Sequence, residues 1–172
     1  LAAVDGSTTE DIPAQLAKLP SDATHLLLSV GGNNAILRAE ILETPVTSSG
    51  DALSLLADAG VEFEAAYREA IDACLRTTLP LVVCTIYHGN FPEPGYQKRA
   101  AVALTIFNDA IIRVALDQQL KVIDLRRICN CAADYANPIE PSVVGGEKIA
   151  KAIVRAATES AHSGRGAQLV AV

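Results

Sequence analysis

The sequence predicts a single-domain α/β protein, a three-layer sandwich in which a parallel sheet lies between helices. Apolar runs alternate along the chain with longer amphipathic stretches, and strands joined by helices in this way form parallel sheets with right-handed crossovers. The apolar runs show no alternation with polar residues, which indicates strands buried on both faces. At 172 residues, the chain is long enough to bury the core of one such domain.

The first part of the chain contains two predicted strands around a short helix. Leu1–Val4 is predicted to be the end of a strand, and Glu10–Leu19 to be a helix with Pro13 in its first turn, where proline is tolerated. Thr24–Val30 is an apolar run and the first complete strand. Asn34–Gly50 is expected to be irregular because it contains a Thr-Pro pair and a Ser-Ser-Gly breaker.

The middle of the chain contains the two clearest helices, with a buried strand between them. The first helix runs from Asp51 to about Thr77, and the second is Gln97–Gln119. Leu79–Ile86 is the strand, and a Pro/Gly-rich loop, Tyr87–Gly95, follows it. Each helix carries an apolar stripe at helical spacing. The two stripes consist of Phe63, Tyr67, Ala70, Ile71, Cys74 and Leu75, and of Ala103, Ile106, Phe107, Ala110, Ile111, Val114 and Ala115.

The last part of the chain contains one short strand and one helix. Lys121–Leu125 is the predicted strand, and Arg126–Pro141 is a long loop. Ser142–Glu159 is the final helix, with its first serine as the cap. Residues 1–160 then form the domain, and Ala161–Val172 is a tail that we expect to fray.

Each loop that carries candidate functional residues follows a predicted strand. In a parallel sheet such loops gather at one edge, where open α/β folds bind their ligands. The loops are Asp5–Thr9, Gly31–Asn34, Tyr87–Gly95 and Cys129–Pro141. One residue from each is therefore expected to surround a common cleft: Gly6, Asn33, His88 and Glu140.

The composition argues against several classes of partner and cofactor. A net charge of −6 with scattered basic residues disfavours nucleic acid or an anionic membrane as the main partner. No apolar run approaches the ~20 residues of a membrane helix, and no signal peptide is visible, so a cytoplasmic location is expected. Four cysteines do not make a disulfide scaffold at this length, and Cys129-Asn-Cys131 is too tight for a usual metal pair. We therefore expect neither a metal nor an organic cofactor.

The most informative stretch is Gly31-Gly-Asn-Asn34, where the strand at Thr24–Val30 stops abruptly. Backbone N–H groups and an asparagine amide at such a junction are the fixed neutral donors that make an oxyanion hole. The same residues also suit an ordinary turn, since glycine tolerates positive φ and asparagine favours turns. The motifs on either side of it favour the functional interpretation.

Three stretches, taken in order, resemble three of the four sequence blocks of the SGNH (GDSL-type) hydrolases. Gly6 matches the second-block glycine, and Gly31-Gly-Asn-Asn34 matches the third-block Gly-x-Asn-Asp, with asparagine in place of the aspartate. Asn137-Pro-Ile-Glu-Pro-Ser142 stands where the last block has Asp-x-x-His-Pro-Ser. The resemblance extends to about Ala157. It implies a flavodoxin-like α/β fold and a serine ester hydrolase.

Two departures from the family pattern concern the catalytic residues. The first block, Gly-Asp-Ser at the end of the family's first strand, carries the nucleophilic serine, and it does not occur in this chain. The opening leucine and the absence of methionine suggest that the native N-terminus lies upstream. In the last block, Asn137 and Glu140 replace the aspartate and the histidine, so this block cannot complete a Ser-His-Asp triad. We expect the 172-residue chain alone to be unstable, aggregated or strand-exchanged, and inactive on esters.

The resemblance implies that the Asn33 side chain and the Gly6 N–H bind the oxyanion of the reaction. Glu140 could act as the base only if burial made it more basic; alternatively, it accepts N–H groups near Ser142 and serves structure. His88 could supply the base instead, although a solvated loop histidine is the more common case.

The remaining candidates are expected to contact substrate. They are Gly32, Asn34, Tyr87, His88 and Asn137. Asn34 is also suited to hold its loop by local hydrogen bonds. Ser7 resembles part of a scrambled Gly-Asp-Ser, but the residues after it fit the second block, and we reject it as the nucleophile.

Three functions are compatible with these residues. The first is an ester (acyl) hydrolase that acts on a small ester through a serine upstream of this chain. The second is a non-catalytic protein that keeps the fold and a carbonyl- or sugar-binding cleft. A flavodoxin-like phosphate or nucleotide binder is disfavoured, because no glycine-rich loop has the Walker or dinucleotide pattern. The expected partner is a small-molecule ester, with nucleic acid and membrane disfavoured and the oligomeric state left open.

Overall fold

The computed structural model describes residues 2–158 and 168–170 of the chain, which form a parallel sheet with helices on both faces. The strands pair in chain order, β1-β2-β3-β4, and every pair is parallel. They are Leu26–Leu28 (β1), Leu81–Cys84 (β2), Lys121–Ile123 (β3) and Gln168–Val170 (β4). The predicted α/β class, with a parallel sheet between helices, is confirmed.

Helices of very different length precede and connect these strands. The helices are Ile12–Leu16 (α1), Gly32–Ile36 (α2), Ser49–Leu75 (α3), Pro94–Asp117 (α4), Leu125–Ile128 (α5) and Val143–Thr158 (α6). Short 3₁₀ turns occur at Thr9–Asp11, Ala39–Glu43 and Ala132–Asp134. Among the described residues, none of the helices has the length and apolar character that are needed to span a membrane.

Strand β2 lies at the centre of both layers of the core. All four of its residues are buried, as expected for a strand covered on both faces. Because side chains alternate across a strand, Leu81 and Val83 face the layer of α3 and α4, whereas Val82 and Cys84 face the layer of α5 and α6.

The two long helices, α3 and α4, begin at side-chain caps and pack against each other. Ser48 Oγ accepts the Asp51 N–H at 3.1 Å, and the Asp51 carboxylate accepts the Ser48 N–H at 3.0 Å. This reciprocal capping satisfies N–H groups that the first turn of α3 leaves free. Phe63 and Phe107 meet between the helices with ring centroids 5.0 Å apart. Both predicted apolar stripes lie in the core, with only their margins partly exposed.

Several predicted segments were wrong. Ala2–Val4 is not a strand, since it has no strand partner, and Leu1 lies outside the described residues. The segment predicted to be irregular contains α2 and the 3₁₀ turn Ala39–Glu43. Part of the expected tail, Gln168–Val170, pairs with β3 instead, because the outer edge of β3 offers free backbone hydrogen-bonding groups.

Strand β1 is shorter and less buried than its apolar sequence indicates. Leu26 and Leu28 are buried, but Leu27 is 41 % exposed. Leu27 is paired with Val82 and points to the same face of the sheet. On that face the buried contacts of α6 are made with Val82 and Ile123, so the helix layer stops short of the edge strand.

Candidate functional site

A cleft of about 270 Å³ opens at the carboxyl ends of β1 and β2. Its wall includes Asn33, His88 and Glu140, which are three of the four residues expected to surround a common cleft. Gly32 and Tyr87 also line it. From the first loop, Asp5 and Ser7 reach the wall, whereas Gly6 between them does not. A parallel sheet places these loops at one edge, which is the physical basis of the prediction.

Gly31 turns the chain from β1 into α2 and sets the position of the asparagines. Its φ of 116° lies in the left-handed region, which favours glycine. A Cβ atom at this position would lie 2.8 Å from Cζ of Phe63, so a side chain would collide with the core. Position 31 therefore requires glycine for both its backbone and its packing.

Asn33 is half-buried on the cleft wall and has one amide hydrogen left for a ligand. Its Nδ2 donates to the Ser7 carbonyl oxygen at 2.9 Å, which fixes the amide. A carboxamide nitrogen carries two hydrogens, and the described part of the chain offers no acceptor for the second. The arrangement is a held, neutral donor at the edge of the cleft, as oxyanion stabilisation requires.

Asn34 serves to attach the first loop rather than to line the cleft. Its Oδ1 accepts the Thr9 N–H at 3.2 Å, and its Nδ2 donates to the Thr9 hydroxyl at 2.9 Å. These bonds join distant parts of the chain, so the expectation of local hydrogen bonds was wrong. Together, Asn33 and Asn34 hold residues 7–9 against the start of α2.

Glu140 is exposed at the cleft rim, so the burial required for its role as a base is absent. No described N–H group bonds its carboxylate, whereas its backbone is well held. Asn137 Oδ1 accepts the N–H groups of Ile139 and Glu140 at 3.0 and 2.8 Å. Asn137 therefore shapes the loop and does not line the cleft, contrary to its predicted contact with substrate.

Tyr87 connects the cleft to this last loop. Its hydroxyl donates to the Ile139 carbonyl oxygen at 2.8 Å. Burial, with a further contribution from the negative charge of Glu140, raises the pKa of Tyr87 to about 12. The phenol therefore remains protonated at neutral pH and acts as a hydrogen-bond donor.

His88 is half-buried on the cleft wall, which differs from the solvated histidine that is usual in loops. Burial lowers the pKa of its imidazole, and the positive charge of Arg126 lowers it further, while Asp124 opposes this. The ring is therefore neutral near pH 7 and able to accept a proton.

Two polar anchors behind the cleft were not found from the sequence. Thr85 Oγ1 donates to Asp124 Oδ1 at 2.9 Å, which joins the ends of β2 and β3, and Asp124 also pairs with Arg126 at 2.7 Å. Asn108, fully buried in α4, exchanges hydrogen bonds with both backbone groups of Ile86, at 2.6 and 2.9 Å. The sequence feature that could have revealed Asn108 is its position as a polar residue within the apolar stripe of a helix.

The cysteines and their surroundings show structural rather than catalytic chemistry. All four cysteines are free. Burial raises the pKa of Cys74 to about 11 and of Cys84 to about 12, so neither thiol ionises near neutral pH. The exposed Cys131 donates its thiol to buried Asp134, which is also paired with Lys148 at 2.6 Å. In the described part of the chain, no group of side chains is arranged to hold a metal.

Three solved hydrolase structures share this arrangement of strands and helices. One is LAE5, an alpha/beta hydrolase enzyme from the metagenome of Lake Arreo in Spain, with a TM-score of 0.62, 18 % identity and coverage of 88 % of this chain and 68 % of that chain. Phospholipase A1 from Streptomyces albidoflavus NA297 has a TM-score of 0.58 and 17 % identity, and the match covers 83 % of this chain and 73 % of that chain. This chain has their fold.

The third structure is an extracellular lipase from Streptomyces rimosus, with a TM-score of 0.54 and 18 % identity. The match covers 79 % of this chain and 64 % of the length of that lipase. No family model and no curated protein matches the sequence. The resemblance to the SGNH hydrolases is confirmed at the level of the fold.

Proposed function

We propose that this protein is an ester (acyl) hydrolase that acts on a small ester, with the cleft at the ends of β1 and β2 as its active site. The observation that carries the proposal is the Asn33 amide, which is fixed by Ser7 and keeps a second donor for the cleft. The shared fold with three hydrolases supports the class of reaction.

In the proposed reaction a serine hydroxyl attacks the ester carbonyl and forms a tetrahedral intermediate. Asn33 Nδ2 stabilises the oxyanion, and collapse of the intermediate releases the alcohol and leaves an acyl-enzyme. Water then hydrolyses the acyl-enzyme. The family's Gly-Asp-Ser block is not among the 172 residues, so the proposal requires a serine that this sequence does not include.

His88 is the better base in this geometry. It is half-buried on the cleft wall and neutral at pH 7 because burial lowers its pKa, which suits a group that takes a proton from a hydroxyl. Glu140, exposed at the rim, would instead influence which substrates approach.

The exposed carboxylate of Glu140, at the position of the family histidine, favours a second candidate function. In this alternative the protein keeps the fold and binds a carbonyl compound or sugar in the cleft without turnover. The two candidates differ in one measurable property, because only the hydrolase forms a covalent acyl-enzyme.

The test is ester turnover by the intact protein, together with labelling by a serine-directed phosphonate. We expect p-nitrophenyl acetate to be hydrolysed and a single serine to be labelled in step with loss of activity. Binding of substrate without turnover or labelling would refute the hydrolase and support the binding protein.

The proposed base is tested by comparing two histidine variants of the active protein. His88→Asn should lower kcat by about 10²–10⁴-fold, the usual contribution of general acid–base catalysis. His25→Asn is the matched control, since His25 is exposed before β1, at the opposite edge of the sheet. Equal activity of the two variants would remove His88 from the mechanism.

A further inference from the structure

The cleft continues from the polar edge of the sheet into a recess between α3, α4 and the segment 35–43. We propose that this recess binds the straight hydrocarbon chain of an aliphatic acyl group, an inference that rests on the proposed hydrolase function. Apolar side chains from all three elements form the recess: Ala39, Ile41, Leu42, Leu56, Ala103 and Leu104.

Polar and apolar groups are separated within the cleft. Many of the hydrogen-bonding side chains of the cleft, among them Ser29, Asn33, His88 and Glu140, lie at the ends of the strands or in the last loop. On the side of the recess, the polar side chains of the wall are Arg38, which pairs with Glu62 on α3, and Tyr96 of α4, whose ring packs against Phe91. Binding a sugar or phosphate there would bury polar groups without partners, at a cost in free energy. A hydrocarbon chain requires no such partners.

The recess has a floor, and small side chains keep it open. Phe107, which is 3 % exposed, packs against Phe63 and closes the space between α3 and α4. Ala100 and Ala103 on α4 face the space with a single methyl group each. A larger residue at Ala103 would occupy volume that a chain could otherwise fill.

The segment over the recess is attached to both long helices. Arg38 pairs with Glu62 on α3, and Glu43 pairs with Arg99 on α4 at 3.0 Å. Ile41 from the same segment packs against the core. These contacts from both sides give the recess a roof of defined position.

The volume of the cleft limits the length of the chain. About 270 Å³ corresponds to roughly nine groups of the size of water in the liquid. If the carboxyl carbon and its two oxygens occupy about three of these places, roughly six chain carbons fit in the remainder. We therefore expect affinity to rise up to this length and then to level.

The experiment measures calorimetric binding of straight-chain primary amides, from acetamide to decanamide, to the intact protein. Amides carry the carbonyl and the chain but are poor substrates, so their binding does not depend on turnover. Affinity should increase about fourfold per methylene, the effect of burying one such group. It should level at about six chain carbons beyond the carbonyl carbon.

Variants on α4 test whether the recess sets this limit. Ala103→Leu should move the plateau to shorter chains, and Leu104→Ala should move it to longer ones. Val102→Leu is the control, since Val102 is 59 % exposed and lies away from the cavity. If the plateau is the same in all three variants, the chain binds elsewhere and the proposal is overturned. Should Ala103→Leu fail to fold, the opposite shift in Leu104→Ala decides.

The two proposals can fail separately. Length-dependent amide binding without ester hydrolysis would overturn the hydrolase and keep the recess. Hydrolysis with the same kcat/KM for acetyl and hexanoyl esters, and no length-dependent binding of amides, would keep the hydrolase and overturn the recess.

Discussion

Replacing Tyr67 with phenylalanine should stabilise the protein, although tyrosine is the native residue. The Tyr67 side chain is 0 % exposed in the core of α3, and its hydroxyl has no hydrogen-bond partner among the described residues. A buried polar group without a partner costs about 1–3 kcal/mol. Because phenylalanine keeps the ring and its contact with Phe63, we expect Tyr67→Phe to raise the free energy of unfolding by about 1–2 kcal/mol.

Calorimetry and urea denaturation would measure this difference, which corresponds to a rise of roughly 2–8 °C in Tm for a chain of this size. Tyr135→Phe is the matched control. Its hydroxyl donates to the Cys129 carbonyl oxygen at 2.8 Å, so its removal should lower stability by about 1 kcal/mol. A loss of stability in Tyr67→Phe comparable to that in the control would show that the Tyr67 hydroxyl has a partner and refute the reasoning.

Two further predictions concern an ion pair and a glycine. The hydrogen bond from Lys148 holds the pKa of buried Asp134 down at about 2. The ionised carboxylate therefore contributes roughly 2 kcal/mol to the free energy of unfolding. This contribution is present above pH 4 and is lost as the pH falls to 2. Urea unfolding of wild type and Asp134→Asn should converge over that range, and a constant gap would contradict the assignment. Gly31→Ala should destabilise by about 2–4 kcal/mol through left-handed strain and collision with Phe63. Gly146→Ala, in an open helical position, should be neutral or stabilising, and similar effects of the two changes in thermal melts would refute the packing argument.

The long elements of this fold could be predicted because their patterns are local. Helices α3 and α4 carry complete apolar stripes, and β2 is an apolar run that the structure buries on both faces. The rule that an apolar run is a strand buried on both faces failed for Leu27, since burial at a sheet edge depends on how far the covering helices reach. The prediction of a fraying tail failed for β4, because pairing with β3 is a long-range contact that no local pattern reveals.

The candidate site was predictable in position and less so in detail. The order of strands and loops places Asn33, His88 and Glu140 around one cleft. The sequence could not show that Asn34 uses its amide to hold the distant Thr9. Nor could it show the buried Asn108, whose two bonds to Ile86 depend on how α4 packs against β2. Such roles arise from tertiary packing.

The central claim is that Asn33 stabilises the oxyanion of an ester hydrolysis, and its most direct test is the kcat of Asn33→Ala in the intact protein. Asn130→Ala is the control, because its Nδ2 also donates one bond to a backbone carbonyl, that of Arg127 at 3.0 Å, away from the cleft. We predict that kcat falls by about 10²–10³-fold in Asn33→Ala, with little change in KM because the contact strengthens in the transition state. The kcat of Asn130→Ala should equal that of wild type. An Asn33→Ala protein with wild-type kcat would contradict the account.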